Sequence, residues 1–200
     1  MKKYTPTLNI FDNKTQEVLL KLEKTQKEFW NIDRITANFL YIQILATNAK
    51  RGIEIGTSNG YSGIWLGSAF KKTGGTLTTI EFWDKRQSVA IENFKVAEIE
   101  NNIIPKLGSA FNILQEIASD VKSEEEKFDF AFIDANKKEY IEYFKLLDPI
   151  LTKGALICAD NILSHEEKVQ PFVQEITNNP NYQTQVLNIG TGILLSYKKN

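Results

Sequence analysis

From Ala49 onward the chain alternates short, nearly continuous apolar runs with amphipathic stretches, and this texture leaves few folds open to it. The runs are Arg51–Gly56, Thr76–Glu81, Ile103–Gly108, Phe128–Asp134, Ala155–Asp160, Tyr182–Ile189 and Gly192–Lys198. Strands that are apolar along their length are buried on both faces, as in a parallel sheet covered by helices on each side. Helical spacing fills the intervals, most clearly at Ile113, Leu114, Ile117 and Val121, and again at Val169, Phe172, Val173 and Ile176. The last two runs are joined only by Gly190-Thr191-Gly192, so they are expected to pair as an antiparallel hairpin at the sheet edge.

Before Ala49 two helical patterns precede the sheet. One carries Val18, Leu19, Leu22 and Phe29, the other Leu40, Tyr41, Ile44 and Leu45. The expectation is one α/β domain over residues 1–200, with helices in 1–48 that cover the site or form a homodimer contact. No repeat is visible, and the charged run Lys122–Lys127 reads as a solvated connection.

Composition narrows the partners. Lys plus Arg number 24 against 25 Asp plus Glu, a formal net charge of −1, so there is no basic footprint for nucleic acid or an anionic membrane. The single cysteine, Cys158, excludes an intramolecular disulfide and suits a reducing compartment. Met1–Asn9 lacks an apolar signal core, and the longest apolar stretch, Phe39–Ala46, is interrupted by Gln43 and too short for a bilayer. A cytoplasmic protein without a membrane partner is expected.

Two groups of residues stand where ligands bind in such sheets, at the carboxyl ends of strands. The first is Glu54-Ile55-Gly56-Thr57-Ser58-Asn59-Gly60 after the first strand. Gly56 and Gly60 permit a tight turn and close approach of backbone to ligand. The spacing is neither the G-x-G-x-x-G of a dinucleotide site nor a P-loop. Glu81, closing the second strand, is placed to accept hydrogen bonds from ribose hydroxyls, and Glu54 to face a sulfonium or amino group. A nucleoside without a pyrophosphate fits both. The other reading is a turn that only packs helix on strand.

The second group is Asp134, Asp160 and Asn161, at the ends of the fourth and fifth strands. Two carboxylates and an amide oxygen suit Mg²⁺, Mn²⁺ or Ca²⁺ better than zinc. Helix capping by Asp134 and Asp160 explains the same residues equally well. Lys137, three residues after Asp134, would have its pKa depressed beside a bound cation and would then suit a general base. Otherwise it is an ordinary surface lysine like Lys138.

Taken together, Glu54-Ile-Gly-Thr-Ser-Asn-Gly-Tyr-Ser62, Thr79-Ile-Glu81, Ile133-Asp-Ala-Asn-Lys-Lys-Glu-Tyr140, Ala159-Asp-Asn161 and the closing Asn188–Lys198 resemble the cation-dependent O-methyltransferases that include catechol and caffeoyl-coenzyme A O-methyltransferases. The resemblance implies a Rossmann-like class I methyltransferase fold: a seven-stranded, mostly parallel sheet with an antiparallel C-terminal hairpin and helices on both faces. It implies that Glu54, Gly56, Thr57 and Ser62 hold the methionine part of S-adenosylmethionine, that Glu81 binds the ribose, and that Ser109 and Ala110 flank the adenine. It also implies that Asp134, Asp160 and Asn161 bind the metal, with Lys137 as the base. Asn136 falls where relatives often have an acidic residue touching the donor, and Ile32, by gapless counting back from Glu54, where an N-terminal residue meets it. Thr191 stands where relatives usually have an acidic residue, and Phe111 replaces a polar group near the adenine.

The activity so implied is transfer of a methyl group to a hydroxyl of a small catechol-like or phenolic acceptor. Tyr182-Gln-Thr-Gln185 also resembles relatives that methylate 5-hydroxyuridine in transfer RNA, a reading that the near-neutral charge does not favour. A third alternative is a donor-binding module without turnover. His165 reads as a helix start or a pocket residue, Trp83 as an adenine contact or loop packing, and Trp30 and Trp65 as core or interface.

Overall fold

The computed structural model describes residues 5–199. Residues 1–4 of the N-terminal stretch read above, and residue 200, lie outside the described residues. Helices α1 (Asn13–Lys24), α2 (Gln26–Phe29) and α3 (Arg34–Thr47) come first. Then strands β1 (Arg51–Ile55), β2 (Thr76–Glu81), β3 (Ile103–Leu107), β4 (Phe128–Ile133) and β5 (Leu151–Ala159) alternate with helices α4 (Tyr61–Thr73), α5 (Asp84–Val96), α6 (Ala110–Asp120) and α7 (Tyr140–Leu147). Helix α8 (Glu166–Asn178) and strands β6 (Tyr182–Leu187) and β7 (Ile193–Lys198) close the chain.

The strands form one seven-stranded sheet in the order β3-β2-β1-β4-β5-β7-β6. β1 to β5 run parallel, and β7 is antiparallel to both β5 and β6, as the short final connection requires. Strand order reverses between β1 and β4, and in open α/β sheets such a switch point is where a ligand crevice lies, at the carboxyl edge.

Side chains alternate across the sheet and divide the core in two. Phe130 and Phe132 of β4, with Leu156 and Cys158 of β5, face the side covered by α1, α3, α4 and α5, against Leu40, Trp65 and Phe70. Ala131, Ile133, Ile157 and Ala159 face the other side, against Leu114, Phe144 and Phe172 of α6, α7 and α8. Cys158 is thus a small, fully buried core residue of β5.

Local structure departs from expectation at four places. The first helical pattern breaks at Thr25, and Trp30 ends α2 in the left-handed region at φ 55. Trp30 is 71% exposed and not part of the core, whereas Trp65 is fully buried. β5 begins at Leu151 rather than Ala155, because Leu151 pairs with Phe128 and a register shift follows at Gly154, where φ is 87. Within the charged 122–127 run, Ser123 and Glu126 form a capping box around one helical turn. No helix among the described residues is long and apolar enough to cross a membrane.

Candidate active site

In-register pairing brings the strand tips level. Ile55 pairs with Ile80 on one side and with Ile133 on the other, and Ile133 pairs with Ala159. The next residues therefore share one rim: Gly56 after β1, Asp134 after β4 and Asp160 after β5. Backbone bonds carry the ladder past the strand ends, from Asp134 N to Ile55 O at 2.9 Å and from Asp160 N to Ile133 O at 3.0 Å. Gly56 has φ 106, and a Cβ there would strike the Asp134 carbonyl. Only glycine lets β1 and β4 approach this closely as the chain turns toward α4.

Glu54 points to the α4 side and is fully buried. Its neighbour in register is Thr79, whose hydroxyl donates to Glu54 Oε2 at 2.6 Å. Thr79 has a single proton to give, so Thr57, 2.5 Å from Thr79 Oγ1, donates in turn. Glu54 Oε1 is buried and has no hydrogen-bond partner. Burial pushes the Glu54 carboxyl up to about 7. The Ser62 and Thr79 hydroxyls oppose the rise, and the charges of Asp134 and Glu81 add to it. An unpartnered, desolvated carboxylate oxygen is costly unless a donor or cation meets it.

Glu81 is held by two backbone amides, Ser58 N at 2.7 Å on Oε2 and Trp83 N at 2.9 Å on Oε1. A carboxylate has about four lone-pair positions, so acceptor capacity remains for further hydroxyls. Ser109 precedes α6 and Ala110 is its first residue, both half-buried beyond β3. Ile32 is buried in the core on the α4 side. Beside it, Asp33 caps α3 through a 2.7 Å bond from Thr36 N. The Phe29 carbonyl accepts from Ser58 Oγ at 2.9 Å, which ties the N-terminal helices to the glycine loop.

On the β4–β5 side, Lys137 Nζ lies 3.0 Å from Asp134 Oδ1, and both side chains are largely buried. Asn136 is exposed, with its amide donating to Glu139 at 2.6 Å and its oxygen accepting from Lys138 N. Asp160 is 3% exposed. Burial, and next the charge of Asp134, raise its carboxyl above the usual carboxylate range, while bonds from Thr191 and the Asn161 backbone oppose the rise. No lysine, arginine or histidine among the described residues pairs with it. Asn161 takes the left-handed region at φ 64. Its amide nitrogen donates to Thr191 Oγ1 at 3.1 Å.

The segment after Asn161 runs within a few residues into α8, with His165 half-buried at the helix start. His165 Nδ1 is 3.0 Å from Ser164 Oγ. Its pKa is lowered, by desolvation first and by the charge of Lys137 next. Trp83 is 52% exposed, and its ring lies 4.6 Å from the Arg86 guanidinium; Trp30 flanks the same group at 4.8 Å.

The structure thus gathers Glu54, Gly56, Thr57, Ser62 and Glu81 on the β1–β2 side of the crevice, and Asp134, Lys137, Asp160 and Asn161 on the β4–β5 side. It adds Thr79 and Ser58, which sequence reasoning passed over. Thr79 lies within the quoted Thr79-Ile-Glu81, but its role needs the β1–β2 register.

A parallel sheet with a glycine turn and acidic strand tips at its switch point is the frame of a class I methyltransferase. Residues 12–199 match the family model described as O-methyltransferase. A catechol O-methyltransferase of Niastella koreensis is 36% identical over 141 residues, 67% of this chain and 62% of that protein, less than two thirds of its length. A caffeoyl-CoA O-methyltransferase of Citrus natsudaidai is 26% identical, covering 98% of this chain and 93% of the relative. An O-methyltransferase from Bacillus cereus, solved in complex with SAH, superposes with TM-score 0.83 at 26% identity, over 94% of this chain and 91% of that one. The chain belongs to the O-methyltransferase family, of the caffeoyl-CoA and catechol type.

Proposed function

We propose that this protein transfers a methyl group from S-adenosylmethionine to a hydroxyl oxygen of a small catechol-like acceptor, with a divalent cation at Asp134, Asp160 and Asn161. The observation that carries this reading is the crevice charge. Glu54 and Asp160 are buried carboxyls at opposite sides of one switch point, Glu54 with Oε1 unpartnered and Asp160 with no cationic side chain paired to it among the described residues. Such a pair is stabilised by cationic ligands, and a sulfonium donor with its ammonium group together with a divalent metal would meet both.

On the donor side, Glu54 Oε1 would accept from the amino group, with Gly56, Thr57 and Ser62 around the methionine part. Glu81 would accept from the ribose hydroxyls, while Ser109 and Ala110 bound the adenine. Ile32 and Asn136 would close the donor from the N-terminal helices and the β4 loop. On the other side the donors are all oxygen: two carboxylates and the Asn161 amide oxygen, which faces away from the nitrogen that Thr191 holds. That set fits Mg²⁺, Mn²⁺ or Ca²⁺.

Bound there, a divalent ion would lower the pKa of a chelated acceptor hydroxyl and fix its oxygen. Lys137, anchored on Asp134, would take the hydroxyl proton at Nζ. The rigid strand tips would hold the two reactants in line, which lowers the entropic part of the barrier. The test is methylation of catechol and hydroxycinnamoyl thioesters with labelled donor, with Mg²⁺ and with chelator. Metal-dependent product supports the reading, and chelator-resistant turnover overturns the metal assignment.

A further inference from the structure

Thr191 sits in the link between β6 and β7, remote in sequence from both groups it touches. Its hydroxyl donates to Asp160 Oδ1 at 2.7 Å and accepts from Asn161 Nδ2 at 3.1 Å. One donor and one acceptor position are thereby spent on the two neighbouring residues of the β5 tip. With its proton spent on Asp160, Thr191 can only accept from Asn161, so the amide nitrogen faces Thr191 and the amide oxygen is turned away from it.

The link itself is fastened in place. The Thr191 carbonyl accepts from Leu163 N and Ser164 N, each at 3.1 Å, and the Gly192 carbonyl accepts from Ile162 N at 3.0 Å. At φ 56, Gly190 packs its α-carbon against Thr36 and the Asp33 carboxylate, so any larger residue would push the link outward. Thr191 is presented by backbone anchored on both flanks.

We propose that Thr191 is a positioning residue for the cation site, holding Asp160 and Asn161 with their ligating oxygens turned to one point. The proposal rests on the metal reading above and goes beyond it by naming what orders the ligands. Hydroxyl contacts that orient metal-binding side chains commonly carry about 10- to 100-fold in metal affinity. Thr191→Val keeps the side chain's shape and removes both bonds. Thr191→Ser keeps the hydroxyl.

The experiment titrates Mn²⁺ into chelator-treated protein, without donor or acceptor, by calorimetry and by the loss of the free-ion electron-spin resonance signal. Wild type and Thr191→Ser should bind alike, within about threefold, and Thr191→Val about 10- to 100-fold more weakly. Thermal unfolding in chelator checks that the valine variant remains folded. If it unfolds early, Thr191→Ala with the serine rescue supplies the same contrast. Equal Mn²⁺ affinity of wild type and valine variant overturns the role of Thr191 and leaves the metal reading standing. No Mn²⁺ binding by wild type overturns the metal reading and this proposal with it.

Discussion

Two buried carboxyls at the crevice are each held by a threonine hydroxyl, but the threonines are placed by different kinds of structure. Thr79 reaches Glu54 from the adjacent parallel strand, in register, inside the core. Thr191 reaches Asp160 from a hairpin link, and it is itself exposed. The first arrangement cannot change without moving β1 against β2. The second can change by rebuilding a few residues on the surface. The β1–β2 side, proposed to hold the donor, is therefore built into the sheet, whereas the β4–β5 side, proposed to hold metal and acceptor, is assembled from the segments after β4, β5 and β6. Loops tolerate replacement where a packed sheet does not.

The comparison breaks most visibly at Asp160. Asp160→Ala should lower kcat/KM with a catechol by about 100-fold or more, the scale of losing several kcal/mol of metal-centred stabilisation. Binding of S-adenosylhomocysteine, measured by calorimetry, should stay within about threefold, because Asp160 lies outside the donor side. A large loss of donor affinity would show that the two halves are not separable. Chelation of wild type makes the same point without mutation: turnover stops while S-adenosylhomocysteine still binds.

Glu54→Gln probes the other half. Losing a charge-assisted bond to the donor's ammonium should weaken S-adenosylhomocysteine binding about 10- to 100-fold. The pH dependence carries a definite sign. The Glu54 carboxyl rises from 4.5 to about 7 on burial, so the neutral form is the one the folded protein favours. Its contribution to stability is fully present below pH 4.5 and is lost as the pH rises toward about 7. Glu54→Gln removes that loss, so its stability relative to wild type should grow across this window by up to about 3 kcal/mol. In wild type, S-adenosylhomocysteine affinity should climb over the same range as Glu54 ionises. A flat profile for both would place the Glu54 carboxylate out of reach of the ammonium.

The same division explains how far the sequence could be read. Apolar runs report strands buried on both faces, so the parallel sheet and the terminal hairpin were legible in the sequence, although the edge strand β3 proves exposed beyond Ile103; the strand order, and with it the switch point, was not, because it depends on which strands pair. Glu54, Glu81, Asp134 and Asp160 could be picked out because each ends, or nearly ends, such a run. Thr79 was hidden because register is a property of two strands, and a pattern within one strand does not reveal it. Thr191 was visible as an unusual residue, yet its contact with Asp160 spans 31 positions. Leu151–Lys153 escaped the β5 assignment because Gly154 interrupts the apolar run. For Trp30 the sequence left core and interface open, because it does not reveal the left-handed turn that ends α2 and turns the ring outward.

That outward turn sets up the smallest of the expected effects. Arg86 lies between the rings of Trp30 and Trp83, 4.8 Å and 4.6 Å from their centroids, and 5.9 Å from Phe29. The Trp83 amide holds Glu81, and the Phe29 carbonyl holds Ser58. Arg86 thus fastens the N-terminal helices to the donor side from outside, through contacts in solvent worth about 0.5–1 kcal/mol each. Arg86→Ala should leave the unfolding midpoint nearly unchanged, since the core on either face of the sheet is untouched. It should weaken S-adenosylhomocysteine binding by no more than about fivefold and speed limited proteolysis near α2. A donor-side loss as large as that of Glu54→Gln would mean that the donor half depends on its surface clamp as much as on the sheet, and the contrast between the two halves would then fail.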